Sequence, residues 1–223
     1  MTGDRPNAVL FDLDGTLIDT VELILSSYRY TVKAHDLEPV PDAVWLEGLG
    51  IPLRVQFRRF AADPGQVQAM VETYLEHNLA HHDTLVREYP GVLEAVEELH
   101  AAGLKLAVVT SKMHGGLERS LRAGGYEGLF DVVIGADDVE NPKPHPEPVL
   151  RALESLRVDP GDAIFVGDSP HDMASGRAAG VRIAAATWGP FPREALEAHR
   201  PDYWLESPAA IRSLGSQEFP GLL

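Results

Sequence analysis

The sequence of 223 residues contains no cysteine, and this absence excludes disulfide bonds and thiolate metal sites. Because disulfides belong mainly to oxidising compartments, a chain without cysteine is expected to be cytoplasmic. The first residues, MTGDRPNAVLF, combine acid and proline with a short apolar run, a pattern that does not resemble a signal peptide.

Basic residues are also scarce, since 19 lysines and arginines face 34 acidic residues and the formal net charge is −15. Without a basic cluster, binding to nucleic acid or to an anionic membrane surface is not expected. No apolar run approaches the roughly 20 residues that cross a bilayer. An acidic protein that binds an anion must therefore place some of its few cations at the binding site.

Short apolar runs alternate with helical patterns from about residue 90 onward. The runs are LKLAVVT (104–110), DVVIG (131–135), AIFVGD (163–168), RIAAAT (182–187) and DYWL (202–205). Apolar strands separated by helices are typical of a parallel sheet that is covered on both faces. AVLF (8–11) has the same pattern, so the sequence predicts a doubly wound α/β domain.

The stretch between this first run and residue 90 has a different pattern. TVELILSSYRYTVKAH (20–35) has apolar residues at helical spacing. DPGQVQAMVETYLEHNLAHHD (63–83) predicts a second long helix, with Asp63 as its cap and Pro64 at its first position. No strand pattern occurs here, so we expect an all-helical insertion over 20–87 and a core made of 1–19 and 88–223.

Reactive side chains follow three of the predicted strands. They are Asp12 and Asp14 after the first run, Thr110 and Ser111 after the second, and Asp168 with Asp172 after AIFVG. Ligands of open α/β sheets bind at this carboxyl edge. Lys143, held between two prolines, is one of only four lysines in the chain. Together these residues predict a site for a charged ligand.

Four carboxylates near one point would raise one another's pKa unless a cation lay among them. Oxygen ligands without cysteine or histidine favour Mg²⁺ over zinc. One Mg²⁺ and Lys143 would leave a pocket for a dianion such as phosphate, with the Thr110 hydroxyl and the backbone N–H groups of Leu13, Asp14 and Gly15 as donors. Phosphoryl transfer requires such a set of groups.

The spacing of Asp12 and Asp14 lets both side chains face one substrate from a single turn. Asp12 can attack phosphorus and form an aspartyl phosphate. Asp14 can protonate the leaving oxygen and then deprotonate the water that hydrolyses the intermediate. The predicted substrate is therefore a small phosphorylated molecule.

DLDGT (12–16), VVTSK (108–112), NPKP (141–144) and VGDSPHD (166–172) resemble, in order, the four motifs of the haloacid dehalogenase-like hydrolases. The resemblance covers essentially the whole chain and implies a Rossmann-like core, a helical cap and Mg²⁺-dependent phosphatase chemistry. It implies a role for each motif residue: Asp12 as nucleophile, Asp14 as acid and base, Thr110 and Lys143 as phosphate binders, Asp12, Asp168 and the Asp14 carbonyl as metal ligands, and Asp172 as support. Ser111 is a further candidate for binding the substrate, with a plain turn residue as the alternative.

Two members of this family are disfavoured, because dehalogenases lack the second aspartate and sugar phosphomutases carry a histidine where this chain has Ile24. DLDGTLIDTVELILSSY (12–28) and NLAHHDTLVREY (78–89) are similar to the bacterial pyrophosphatases and, less closely, to the 2-phosphoglycolate phosphatases. Inorganic pyrophosphate is therefore the predicted substrate. 2-Phosphoglycolate or another small phosphomonoester is the alternative, and the oligomeric state is left open.

A non-enzymatic phospho-receiver is the alternative from another class, because receivers also place acidic residues, a hydroxyl and a lysine at strand ends. A receiver needs about half this length and has no helical insertion. It also stores its aspartyl phosphate, which Asp14 would hydrolyse.

Several further residues are given weaker interpretations. Lys112 is expected to be solvated, His171 to be a motif residue without a catalytic role, and Trp188 to serve packing. Asn78 and His82 share a helical face and are candidates for a cap surface facing the substrate. The loop GLGIPL (48–53), with Arg54 beside it, could contact the leaving group or form a plain turn between helices.

Overall fold

The computed structural model describes residues 5–216. The predicted core ranges extend further, and their positions 1–4 and 217–223 lie outside the described residues. None of the described helices is both long enough and apolar enough to cross a membrane.

Eight strands and nine α-helices lie along residues 5–216. The strands are β1 (Ala8–Phe11), β2 (Ile18–Asp19), β3 (Arg87–Glu88), β4 (Lys105–Val109), β5 (Val132–Ile134), β6 (Ala163–Gly167), β7 (Arg182–Ala186) and β8 (Tyr203–Leu205). The helices are α1 (Val21–Ala34), α2 (Asp42–Glu47), α3 (Leu53–Phe57), α4 (Pro64–Leu85), α5 (Val92–Ala101), α6 (His114–Ala123), α7 (Glu147–Leu156), α8 (Pro170–Ala179) and α9 (Arg193–Glu197). Short 3-10 helices occupy Ala136–Asp138, Pro160–Asp162 and Pro208–Gly215.

Six of the strands form one parallel sheet in the order β5-β4-β1-β6-β7-β8. The chain leaves β1 toward β4 on one side and later returns to β6 on the other, so β1 lies at the point where the strand order reverses. The carboxyl ends of β1, β4 and β6 are therefore neighbours, and ligands of such sheets bind there. The predicted doubly wound α/β fold is confirmed.

The central strands are buried on both faces, which explains their continuous apolar sequences. In β1, Val9 and Phe11 belong to one buried cluster, whereas Ala8 and Leu10 belong to a second cluster on the opposite face. This alternation follows from the two-residue period of a strand. The sheet is thus fixed rigidly between two layers of helices, and the residues that follow its strands are held firmly.

Helices α1 to α4 form a third buried cluster of their own. Tyr28 stacks on Trp45 with ring centroids 4.3 Å apart, and Phe57 and Tyr74 contact the same tyrosine. The predicted cap of α4 is confirmed, because the Asp63 side chain accepts a hydrogen bond from the Gln66 N–H at 2.9 Å. The helical insertion therefore contains an apolar centre separate from the two that cover the sheet.

A small antiparallel pair joins the two ends of the insertion, since β2 pairs with β3. Nothing in the sequence predicted this pair, because two-residue strands are too short to show any periodicity. The pair lies next to both predicted boundaries of the segment 20–87, and this location is consistent with the division into core and cap, which stays a prediction.

Candidate active site

The turn after β1 brings Asp12 to the centre of the sheet edge. The Asp12 N–H donates to the Val166 carbonyl at 2.9 Å, which continues the pairing of β1 with β6. Gly15 adopts φ +89°, and a Cβ there would lie 2.6 Å from Asp168 Oδ2, so only glycine fits. Its N–H donates to the Ile18 carbonyl at 2.9 Å. The expectation that the Gly15 amide faces a phosphoryl group is therefore wrong.

Lys143 reaches the same point from the loop before α7. Its Nζ lies 2.9 Å from Asp12 Oδ1, donates to Asp172 Oδ1 at 2.6 Å and donates to the Val109 carbonyl at 3.2 Å. The lysine is buried, with 2% of its surface exposed. A buried ammonium is stable only with such partners. Residues 131 positions apart, Asp12 and Lys143, thus form one ion pair.

Both carboxylate oxygens of Asp172 are engaged within the protein. Oδ1 accepts from Lys143, and Oδ2 accepts from the Ser169 hydroxyl at 2.6 Å and from its N–H at 3.1 Å. The Ser169 hydroxyl in turn caps α8 by accepting from the Asp172 N–H. Asp172 is therefore oriented by the start of α8 and holds Lys143, and its supporting role in the reaction stays a prediction.

Asp168 follows β6 and is almost fully buried, with 1% of its surface exposed. Its Oδ1 accepts from the Thr16 hydroxyl at 2.7 Å, while its buried Oδ2 has no hydrogen-bond partner. Buried carboxylate oxygens rarely lack a hydrogen-bond partner. One oxygen each of Asp12, Asp168 and Asp172 lies within 4.8 Å of the others. An unpaired oxygen in a cluster of oxygen donors is well suited to bind a hard cation.

The electrostatics of the cluster agree with this interpretation. Burial, reinforced by the charge of Asp172, raises the pKa of Asp12 to about 7, although Lys143 acts in the opposite direction. Burial and the charges of Asp172 and Asp12 raise the pKa of Asp168 well above its usual value. Burial by itself would lower the pKa of Lys143, but Asp12 and Asp172 raise it above its usual value. The single positive charge of Lys143 does not neutralise the three carboxylates of Asp12, Asp168 and Asp172.

Asp14 lies beside this cluster and is partly exposed. Its Oδ1 accepts from the Thr20 hydroxyl at 2.7 Å and from Lys112 Nζ at 2.8 Å. The expectation that Lys112 is solvated is therefore wrong, because its side chain is only 11% exposed and forms an ion pair with a motif aspartate. A lysine just after a strand often points into solvent, and only the folded path of the chain reveals this contact.

Thr110 and Ser111 follow β4, which pairs with β1 so that Val108 lies opposite Phe11. This register puts Thr110 beside the turn that carries Asp12. The Thr110 hydroxyl accepts from the Lys112 N–H at 3.2 Å, and its own proton stays available. The Ser111 Oγ is buried without a hydrogen-bond partner. Both hydroxyls are thus able to donate to a ligand.

The helical insertion contacts the core, and the two residues expected to face the substrate are engaged with other side chains of the protein instead. His82 is buried and lies 2.9 Å from Ser120 Oγ on α6 and 3.0 Å from Asp83 Oδ1, so both of its ring nitrogens are engaged. The Asn78 amide lies 3.4 Å from Ser27 Oγ on α1. These two residues therefore stabilise helix packing, and Arg54 is exposed.

The loop 48–53 does approach the core. A Cβ on Gly50 would lie 3.6 Å from His171 Cδ2 and 3.8 Å from Ser169 Oγ, at the start of α8. The buried Gln56 side chain stabilises the loop, because its Nε2 donates hydrogen bonds to the Gly48 and Ile51 carbonyls. His171 is thus a contact between the insertion and the core.

Three hydroxyl residues that orient the motif aspartates were not predicted from the sequence. Thr16 orients Asp168, Thr20 orients Asp14, and Ser169 orients Asp172. Trp188, expected to serve packing, does contact Tyr89, and its Nε1–H also donates to the Thr16 carbonyl at 3.0 Å. Hydroxyl residues next to the motif aspartates were the available indication, but they are equally common in plain turns.

Comparison with known proteins places this geometry in context. The model of the haloacid dehalogenase-like hydrolases matches residues 9–186. The chain is similar to the pyrophosphatase PpaX of Halalkalibacterium halodurans, with 43% identity over 201 residues that cover 90% of this chain and 93% of that protein. It is 40% identical to the pyrophosphatase PpaX of Anoxybacillus flavithermus over 208 residues, which cover 93% and 96% of the two chains.

A solved structure gives the same fold. The protein from Haemophilus somnus 129pt, described as a predicted phosphoglycolate phosphatase, superposes with a TM-score of 0.86 at 25% identity. The superposition covers 97% of this chain and 100% of that one. The sequence-based assignment to a family and the predicted fold class are both confirmed.

Proposed function

Since the chain belongs to the haloacid dehalogenase-like hydrolases, we propose that it is a Mg²⁺-dependent phosphohydrolase that uses an aspartyl phosphate and acts on inorganic pyrophosphate. The observation that carries the proposal is the buried cluster in which Lys143 Nζ lies between Asp12 and Asp172, with Asp168 beside them. Support for the substrate comes from the two relatives named as pyrophosphatases, at 43% and 40% identity.

Asp12 is the proposed nucleophile. Its Oδ1 is buried against Lys143, so Oδ2 is the oxygen that attacks phosphorus. The Lys143 ammonium, which contacts Asp12, Asp172 and the Val109 carbonyl, would turn one of its donors toward an equatorial phosphoryl oxygen, and the hydroxyls of Thr110 and Ser111 would add donors. Groups fixed in this way before the reaction stabilise the charge that develops in the transition state.

Asp14 is the proposed acid and base. It belongs to the same turn as Asp12, and its Oδ1 is held by Thr20 and Lys112. In the first step the Asp14 carboxyl gives a proton to the departing oxygen. In the second step its carboxylate accepts a proton from water, whose oxygen attacks the aspartyl phosphate and restores the Asp12 carboxylate.

The residues present fit a magnesium ion. Asp12, Asp168 and the Asp14 carbonyl would hold it, since Asp168 Oδ2 is buried without a partner and all these donors are oxygens. When bound, Mg²⁺ supplies positive charge that neutralises the carboxylates and the phosphoryl oxygens. Asp172 would not be a ligand, because both of its oxygens are engaged.

Addition of Mg²⁺ to protein stripped with EDTA is expected to raise its Tm, because a cation that binds only the folded cluster stabilises it. Thermal unfolding followed by circular dichroism at neutral pH measures the shift. The shift should shrink in Asp168→Asn and persist in Asp159→Asn, since Asp159 is exposed and lies before the amino end of β6, whereas Asp168 follows its carboxyl end. An equal shift in all three proteins would contradict the proposed ligand.

2-Phosphoglycolate remains the second candidate substrate, because the similar solved structure from Haemophilus somnus 129pt is described as a predicted phosphoglycolate phosphatase. The receiver hypothesis has no such support, since the match over residues 9–186 is to a family of hydrolases. Both remaining candidate substrates, pyrophosphate and 2-phosphoglycolate, are small phosphorylated molecules. The cytoplasmic location stays a prediction from the lack of cysteine.

A phosphate-release screen with Mg²⁺ tests the proposed substrate. Pyrophosphate, 2-phosphoglycolate, sugar phosphates and nucleotides are compared by kcat/KM at equal enzyme concentration. We expect many turnovers per protein molecule and the highest kcat/KM for pyrophosphate. A value for pyrophosphate no higher than that for generic esters would refute the substrate, and a single retained phosphate per protein would favour a receiver.

A further inference from the structure

In the phosphoryl-transfer scheme above, Lys112 contacts Asp14 but has no contact with the substrate. Its Nζ lies 2.8 Å from Asp14 Oδ1, and the side chains of the two residues are 11% and 17% exposed. Lys143, by contrast, is surrounded by Asp12, Asp172 and the Val109 carbonyl and lies deeper in the protein. The two ammonium groups therefore flank the turn 12–14 at different positions, one at each aspartate.

The backbone and the stem of Lys112 are held firmly. Its N–H donates to Thr110 Oγ1 at 3.2 Å, and its carbonyl accepts from the Ala136 N–H at 2.9 Å. A Cβ on Gly116 would lie 3.1 Å from Lys112 Cε and 3.6 Å from its Cγ, so the glycine in the first turn of α6 leaves room for the aliphatic stem. The stem is thus guided toward Asp14.

The other two lysines of the chain lie elsewhere. Lys105 begins β4, at the opposite edge of the sheet, and its Nζ donates to the Leu156 carbonyl. Lys33 is exposed in the last turn of α1. Half of the lysines in a chain of net charge −15 therefore contact aspartates of one motif.

We propose that Lys112 binds the leaving group and gives the enzyme its preference for substrates whose leaving group is an anion, with the second phosphoryl group of pyrophosphate as the main case. The inference rests on the proposed function, in which Asp14 faces the leaving oxygen. Because Lys112 Nζ lies 2.8 Å from Asp14 Oδ1, it would be on that same side of a bound substrate.

The bonds of the step balance without a proton from Lys112. An Asp12 oxygen forms a bond to one phosphorus, and the bond from that phosphorus to the bridging oxygen breaks. The electron pair stays on the bridging oxygen of the departing phosphate, which takes its proton from Asp14. Lys112 keeps its three protons throughout and stabilises the departing negative charge by direct contact.

This position predicts discrimination between leaving groups. A departing phosphate carries negative charge in both the ground state and the transition state, so a contact with an ammonium is favourable. The neutral alcohol that leaves from a simple phosphomonoester makes no such contact and depends on the Asp14 proton instead. A charge-assisted contact of this kind corresponds to about a 10- to 100-fold change in kcat/KM.

Lys112→Met tests the proposal, with phosphate release measured for pyrophosphate and for glycerol 2-phosphate, whose leaving group is a neutral alcohol. We expect kcat/KM for pyrophosphate to fall by a factor about 10 to 100 times larger than the factor by which that for glycerol 2-phosphate falls. Lys112→Arg should recover most of the pyrophosphate activity, since it restores the charge. Lys33→Met is the matched control and should leave both values unchanged.

The ratio of the two kcat/KM values does not depend on how much of the variant is folded, because both substrates report the same active fraction. An equal fall for both substrates, or a larger fall for glycerol 2-phosphate, would overturn the inference and make Lys112 a residue that only positions Asp14. Should wild-type protein release phosphate from esters but not from pyrophosphate, the proposed substrate fails as well. The two failures are therefore distinguishable.

Discussion

Asp12→Asn is expected to lower kcat by about 10⁴-fold or more, because an amide cannot attack phosphorus and the remaining groups cannot replace a nucleophile. The measurement is phosphate release from pyrophosphate with Mg²⁺ under saturating substrate. The variant should also fail to form the acid-stable, base-labile phosphoenzyme expected of an aspartyl phosphate. Asp159→Asn, at an exposed position, is the matched control and should retain full activity.

The same substitution is expected to leave the fold intact and, without metal, to make the variant more stable than wild type at higher pH. The raised pKa of Asp12, about 7 against an ordinary 3.8, means that the folded protein holds more protons than the unfolded chain between about pH 4 and pH 7. Stability that depends on Asp12 therefore falls as the pH rises through that interval. Asparagine does not ionise, so the variant should have a higher unfolding free energy than wild type, and this difference should grow as the pH rises through the same interval.

Urea unfolding in EDTA at several pH values measures this difference. A variant that is inactive and also less stable than wild type above pH 7 would indicate that the Asp12 charge supports the fold. Substantial turnover by a correctly folded Asp12→Asn protein would refute the nucleophile assignment itself. Activity and stability thus test two separate statements about one residue.

Lys143→Met is expected to reduce both activity and stability. Methionine fills a similar volume but leaves Asp12 and Asp172 buried without their cation. Removing one partner of a buried ion pair costs about 3–5 kcal/mol of unfolding free energy. The loss of a fixed donor to the phosphoryl group should lower kcat by about 100- to 1000-fold in the fraction that is folded. Lys33→Met is the surface control for both measurements.

A double variant separates charge from packing. Asp12→Asn combined with Lys143→Met removes one of the two carboxylates that the lysine neutralises. If uncompensated charge causes the instability, Asp12→Asn is expected to stabilise the Lys143→Met protein by more than it stabilises wild type. An equal gain in both backgrounds, measured by urea unfolding, would instead attribute the instability of Lys143→Met to packing around that side chain, whose Nζ lies 5.8 Å from the centre of the Phe165 ring.

The sequence by itself determined the order and type of the main elements. Apolar runs with helices between them specify a parallel sheet, because a strand that is buried on both faces is apolar at every position instead of alternating between apolar and polar residues. The four motifs then placed Asp12, Thr110, Lys143 and Asp168 at the sheet edge, since parallel strands end together. The cap of α4 at Asp63 was predictable for a local reason, because an N-cap bonds only three residues away.

Only the tertiary structure decided the contacts between side chains that are distant in the chain. Lys112 and Asp14 are 98 positions apart, and His82 and Ser120 are 38 apart, so no periodicity indicates either contact. Each depends on the direction of a long or ring side chain after the elements have packed. The sequence could therefore predict which motif residues meet at the ends of the strands. The contacts of Lys112 and of the Thr16, Thr20 and Ser169 hydroxyls with the motif aspartates follow from how the strands, turns and helices pack together.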